Sequence, residues 1–291
     1  MAQGATPVEQ RRLRAELRRI RDESGRTQKV VAEALGWSIS KVIRMETGAV
    51  DVSTSDLMAL LSYYGIDDPG RKDALLAITR GDRKGWWEQY RSHYPQRFLN
   101  FLAYEDAAAQ VRQFTGLMVP GLLQTEEYIR ALWRGVMVDP ARFDRGVAVR
   151  LRRQEILTRE NATKAQFILD EAVLHRWVGS PDVMVGQLSH LKDMAELPNV
   201  SIRVIPFAAG VHPGMLGSFS VLELPSDVED VDDYVVVLED QTRDVLIRDD
   251  PEIKSKYVEI FYQLEEVACP ENELHKIIDP MIDSFQKGAP Q

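Results

Sequence analysis

Asp170, Glu171, His175 and His212 are the residues whose types could do acid–base chemistry, provided the fold gathers them near a sheet edge. Glu171 and His175 lie four apart, so a helix would equally make them a plain surface pair. The other histidines, His93, His190 and His275, are scattered, and no HExxH or similar metal spacing occurs. GVHPGMLG, from Gly210 to Gly217, is glycine-rich but lacks the lysine of a phosphate-binding loop and the order of a dinucleotide fingerprint. It reads as a loop between two strands, with a ligand-facing loop as the alternative. Cys269 is the only cysteine, which excludes an internal disulfide and a cysteine-rich zinc site. The expectation is a protein without catalytic residues, metal or cofactor.

A different chemistry is concentrated in TQKVVAEALGWSISKVIRMETG, Thr27 to Gly48. Arg44 can donate two hydrogen bonds to guanine O6 and N7, and Ile39 can touch a thymine methyl. Ser38, Ser40 and Lys41 form a polar first turn whose positive helix end favours phosphate. These side chains become useful only if a helix laid across the DNA backbone is joined by a tight turn to a second helix in the major groove. Thr27 to Leu35 suits the first role, Gly36 and Trp37 the turn, and Ser38 to Thr47 the second. Val42 and Met45 then face inward, leaving Ile39, Ser40, Lys41, Ile43 and Arg44 on the other sides. The alternative is a helical hairpin that merely packs.

The elements that must position this pair are punctuated by caps. Thr6, Pro7 and Glu9 predict an N-cap, a first-turn proline and a capping-box acid, with Leu13, Leu17 and Ile20 recurring at helical spacing to about Glu23. Thr27 opens a second helix that Gly36 ends, Ser38 a third closed by Gly48, and Ser53 a fourth stopped by Gly65. Asp68-Pro69 opens a fifth running to about Arg80. Residues 1–80 are therefore expected to be a five-helix, all-α domain, with residues 81–291 as a second domain.

That second domain reads as α+β. Gly81 to Phe98 is aromatic-rich and suggests a connector folded onto it. Helices are expected at 125–135, 140–159, 181–197, 251–268 and 271–286, three of them opened by Asp139-Pro140, Ser180-Pro181 and Asp250-Pro251. Strands are expected at Gln166–Leu169, Val200–Pro206, Ser218–Leu224, Tyr234–Glu239 and Val245–Arg248. The last three follow one another through short loops, which predicts an antiparallel sheet. Asp227 to Asp233 reads as a solvated loop, and Arg150, Arg152 and Arg153 as a solvated helix face.

The formal charge of −9 over 291 residues argues at first against a nucleic-acid partner, but its distribution is uneven. Residues 9–48 hold ten Lys or Arg against six Asp or Glu, and residues 81–291 hold 23 against 34. The basic excess lies where the helix pair is. No apolar run reaches the roughly 20 residues of a membrane span, and the charged N-terminus lacks a signal-peptide core, so a cytoplasmic location is expected.

Residues 9–65 resemble the Xre-type, lambda-repressor-like helix-turn-helix domain, through TQKVVAEALGWS, SKVIRMETG and VSTSDLMALLSYYG. The resemblance implies a DNA face containing Gln28, Ser38, Ser40, Lys41 and Arg44; Thr27, Ile39 and Thr47 complete the set expected at the duplex. It also implies an ion pair between Arg21 and Glu46, and an acid so near phosphate does need a cation to offset it. Further blocks, including GWWEQY, VPGLLQTEEYIRAL, RLRRQEIL, LDEAVLHRWVG and LPNVSIRVIPFAAGVHPGMLGSFSVLELP, are similar to the actinobacterial WhiJ-like regulators, which carry a large C-terminal domain of uncertain function. Members are often encoded beside a small partner protein and described as antitoxin-like. The resemblance thus implies a regulator of double-stranded DNA. A homodimer is expected because one such domain covers too little duplex for high specificity, and residues 81–291, far more than dimerisation requires, are expected to govern it through a small-molecule effector or a small partner protein.

Overall fold

Local caps decide where the first helices begin and end. In a computed structural model, which describes residues 6–80, 85–136, 140–225, 233–239 and 245–287, α1 spans Pro7–Glu23. The Thr6 side chain accepts from the Glu9 amide, and the Glu9 carboxylate accepts from the Thr6 amide at 2.9 Å. The next three helices, α2 (Gln28–Leu35), α3 (Ile39–Thr47) and α4 (Thr54–Tyr64), each start at a side-chain N-cap: Thr27, Ser38 and Ser53. Gly36, Gly48 and Gly65 end them in the left-handed region, with φ of 66°, 79° and 70°. α5 covers Pro69–Arg80. Leu13, Leu17, Ile20, Val31, Val42, Met45, Leu57, Leu60, Leu61, Leu75 and Leu76 form one shared core.

The chain divides into two compact units, Met1–Ala103 and Tyr104–Gln291. The aromatic run falls in the first unit up to Phe101. A 3-10 turn at Trp86–Tyr90 leads towards α6 (Gln96–Ala107), and Trp86, Tyr90, Tyr94, Phe98 and Phe101 contact one another in series, with ring centroids 4.9 to 6.2 Å apart.

The second unit is built on a six-stranded sheet in the order β3-β2-β1-β4-β5-β6. The strands are β1 (Gln110–Thr115), β2 (Lys164–Asp170), β3 (Val200–Ile205), β4 (Phe219–Leu224), β5 (Asp233–Leu238) and β6 (Val245–Ile247). β4, β5 and β6 are antiparallel, as their short connections require, but β1, β2 and β3 run parallel. The expectation of an antiparallel sheet is therefore corrected to a mixed one. β1 pairs parallel with β2 and antiparallel with β4, which joins the two halves.

Parallel neighbours need long crossovers. Two helices, α7 (Glu126–Val136) and α8 (Pro140–Gln154), lie between β1 and β2. Between β2 and β3 lie α9 (Glu171–His175) and α10 (Pro181–Ala195). The chain finishes with α11 (Pro251–Val267) and α12 (Leu274–Gln286). Phe261 and Leu264 of α11 pack on Phe114, Ile168, Ile205, Phe219, Val221 and Val236 of the sheet. Ser180 and Asp250 cap α10 and α11 through the amides of Val183 and Ile253. Asp139 and residues 227–232 of the acidic stretch lie outside the described residues, and Asp233, its last residue, opens β5. Among the described residues, no helix is long and apolar enough to cross a membrane.

Of the three arginines expected on a solvated face of α8, Arg150 and Arg153 are instead tied to the fold, while Arg152 does lie at the surface, 49% exposed. Arg153 grips Glu105 with two hydrogen bonds of 2.6 and 2.8 Å, Arg150 donates to Gln124 at 2.8 Å, and Arg152 pairs with Glu155. Gln124, Gln154 and Gln187 in turn hold the carbonyls of the turn before α7.

Candidate DNA-binding surface

α2 and α3 are joined through Gly36 and Trp37, whose backbone amide donates to Ala32 O at 2.8 Å. Val42 and Met45 anchor α3 in the core, each 3% exposed. With those two inward, helical geometry turns Ile39, Ser40, Ile43, Arg44 and Thr47 to solvent together. Ser38 caps this helix at Lys41 N (3.2 Å), and Arg44 Nε donates to Ser40 O at 3.3 Å. Thr27 and Ser38 are exposed caps, and Thr47 lies at the far end of the same face. Ile43, absent from the set expected at the duplex, is exposed on the same face, slightly less than Ile39. The signal was present in the sequence, since a helix anchored by Val42 and Met45 must present residue 43.

Lys41 is placed differently from the rest. Its ammonium bonds Asp56 Oδ1 of α4 at 2.6 Å and sits 4.0 Å from the Trp37 ring centroid. A cation so held has less reach to a phosphate than an unpaired one. Sequence reasoning missed Asp56 because the contact joins two helices.

Behind the face, Glu46 is a hub. Its side chain is 8% exposed and that of Arg21 15%, and Arg21 Nε donates to Glu46 Oε1 at 2.7 Å. Arg21 also donates from its second nitrogen to Oε2 at 3.3 Å, and Gln28 Nε2 donates to the same oxygen at 2.8 Å. Arg18 donates to the Glu46 backbone carbonyl. A buried carboxylate is tolerable only with such partners. The Glu46 hydrogen bond raises the Arg21 pKa, against burial, which opposes it. Tyr64 is half-buried, and burial first, then the Glu46 charge, push its hydroxyl up to about 12. Gln28 thus faces inward with its amide donor, and only the remainder of its side chain is left for a duplex.

The acid–base residues of the second unit come together in two pairs, at the carboxyl end of β2 and not at a sheet edge, because β2 lies between β3 and β1. His212 Nε2 is 3.1 Å from Asp170 Oδ2, and His175 Nε2 is 3.3 Å from Glu171 Oε1. Both carboxylates also have structural work: Asp170 caps α9 at Ala172 N, and Glu171 accepts from Phe207 N at 2.6 Å. In the glycine-rich loop, a Cβ on Gly214 would stand 2.4 Å from the Phe114 ring, so that position must stay bare. Among the described residues no three His, Cys, Asp or Glu side chains gather as a metal site.

Residues 12–75 match a family described as a helix-turn-helix domain, which supports a DNA-binding regulator. No curated protein and no solved structure matches the chain significantly. Residues 98–279, well over half of the 291, match the family described as "Domain of unknown function (DUF5753)", and the chain belongs to that family.

Proposed function

We propose that this protein is a sequence-specific, DNA-binding transcription regulator that works as a homodimer, with α3 in the major groove. The observation that carries this reading is the exposed face of α3, Ile39, Ser40, Ile43, Arg44 and Thr47, within a region matching a helix-turn-helix domain. A single module of this size covers too little duplex for high specificity, and two-fold symmetry would pair half-sites about 34 Å apart. The DUF5753 region acts without catalysis, changing DNA affinity through a ligand or partner that prefers the free or the DNA-bound form. A small partner protein, as in the antitoxin-like alternative, is favoured over a small effector. The reason is that Leu117, Phe207, Val211, Met215 and Leu216 stand exposed on loops of the second unit, Val211 by 90% and Leu216 by 95%.

The test is genome-wide occupancy of the protein in its own cells, with transcripts measured beside each occupied site. Discrete sites that empty in an Arg44→Ala strain, with changed transcription of the adjacent genes, support the proposal. Uniform occupancy, unchanged by that substitution, refutes it.

A further inference from the structure

The outward face of α3 is two ridges of different chemistry. Ile39, Ile43 and Thr47 follow one another at four-residue spacing, and Ser40 and Arg44 form a parallel polar row beside them. Ile39 is 44% and Ile43 38% exposed, although Val42 and Met45 already supply the packing that the helix needs. The Thr47 hydroxyl is spent on the backbone carbonyl of Ile43, at 2.9 Å, which leaves a methyl as the other branch of that side chain. Two β-branched residues in water on a nine-residue helix add nothing to helix propensity and leave apolar surface uncovered. Something other than folding accounts for them.

The major groove offers a single apolar group on its base edges, the 5-methyl of thymine. Every other base edge there carries hydrogen-bonding atoms, which an isoleucine would strip of water without replacing the bond. The polar row beside the ridge, and the basic excess of residues 9–48, match a duplex better than an apolar protein surface. We propose that Ile39 and Ile43 read thymine methyls, so that Ile43 is a specificity-determining residue alongside Arg44. This rests on the DNA-binding reading above. The recognised half-site accordingly contains thymines under the isoleucine ridge, next to the base pair that Arg44 reads.

The experiment uses the full chain and the duplex it enriches from a random pool. Each thymine of that duplex is replaced in turn by uracil, which removes the methyl and nothing else. One or two positions per half-site are expected to lose about fourfold in affinity each, the value of one buried methyl. Ile43→Ala and Ile39→Ala should each abolish the uracil penalty at one position, whereas Arg44→Ala should keep both penalties. Both isoleucines are exposed, so these variants keep the fold. The proposal is overturned if uracil is tolerated everywhere, or if the penalties survive in both isoleucine variants. It is overturned equally if those variants alter only the self-association of the DNA-free protein, which would make the ridge a contact between copies. Failure to enrich any duplex is distinguishable from these results and would remove the DNA-binding reading itself.

Discussion

Cutting the ion pair behind the recognition helix is the perturbation with the clearest expected size. Arg21→Ala strips two charge-assisted hydrogen bonds from a carboxylate that is 8% exposed, leaving it Gln28 as a side-chain donor. Removing one partner of a buried pair costs about 3–5 kcal/mol, and the surviving Gln28 bond places this case near the lower end, about 3 kcal/mol. Glu46→Ala should cost less, about 2 kcal/mol on the same scale, because Arg21 keeps Asp22 at 2.7 Å and the Arg26 carbonyl at 3.2 Å. The double variant has no orphaned charge and should lose about 3 kcal/mol, which gives a coupling of about 2 kcal/mol. Hydrogen exchange of the amides in α1 to α4, measured on the intact chain, reads these losses where they occur. Arg21 has a raised pKa, so its stabilisation holds at all ordinary pH and is lost only as strongly alkaline pH rises through the folded value. Losses that simply add, or a coupling that vanishes at neutral pH, would refute the reasoning.

Three further outcomes follow from the same geometry. Arg44→Ala should cost roughly 1–3 kcal/mol at the selected duplex and relax base preference at one position, whereas Lys41→Ala, already tied to Asp56, should change the salt dependence by less than one full phosphate contact; binding titrations over a range of salt check both. Burial alone would lift Glu16, but hydrogen bonds from Arg19 and Arg71 outweigh it and lower its pKa, so its contribution is present above the ordinary glutamate range and lost as pH falls through the folded value. Acid unfolding of the intact chain should therefore shift less with pH in Glu16→Gln than in wild type. Tyr64, pushed up to about 12 by burial and Glu46, should ionise late in an alkaline absorbance titration, and Tyr64→Phe should reduce the amplitude of that late rise. Because its neutral form is favoured in the fold, stability falls as pH rises from the ordinary phenol range towards the folded value.

How much of this was legible in the sequence follows from the range of each interaction. Thr6, Thr27, Ser38 and Ser53 bond amides three residues away, so α1 to α4 could be read directly from caps and glycines. β1 was missed because Gln110, Arg112 and Gln113 break its apolar pattern. Their partners lie far along the chain: Gln110 donates to Gln166 at 2.7 Å, Arg112 to Glu223 at 2.9 Å and Gln113 to Glu239 at 3.1 Å. The parallel half of the sheet was invisible for the same reason, since β1, β2 and β3 meet only through long crossovers. Within the candidate site, residue types and spacing located the face of α3. They could not show that Lys41 turns to Asp56 or that Gln28 turns to Glu46, because both contacts cross between helices.

The most direct test of the central claim is enrichment of duplexes from a random pool by the full-length protein, with equilibrium affinity measured for the winner and a scrambled control at two salt concentrations. The account predicts a two-fold symmetric sequence, bound at least a thousandfold tighter than the control, as specific protein–DNA recognition typically is. It also predicts that Arg44→Ala erases part of that sequence. Equal affinity for winner and control, weakening together as salt rises, would contradict it.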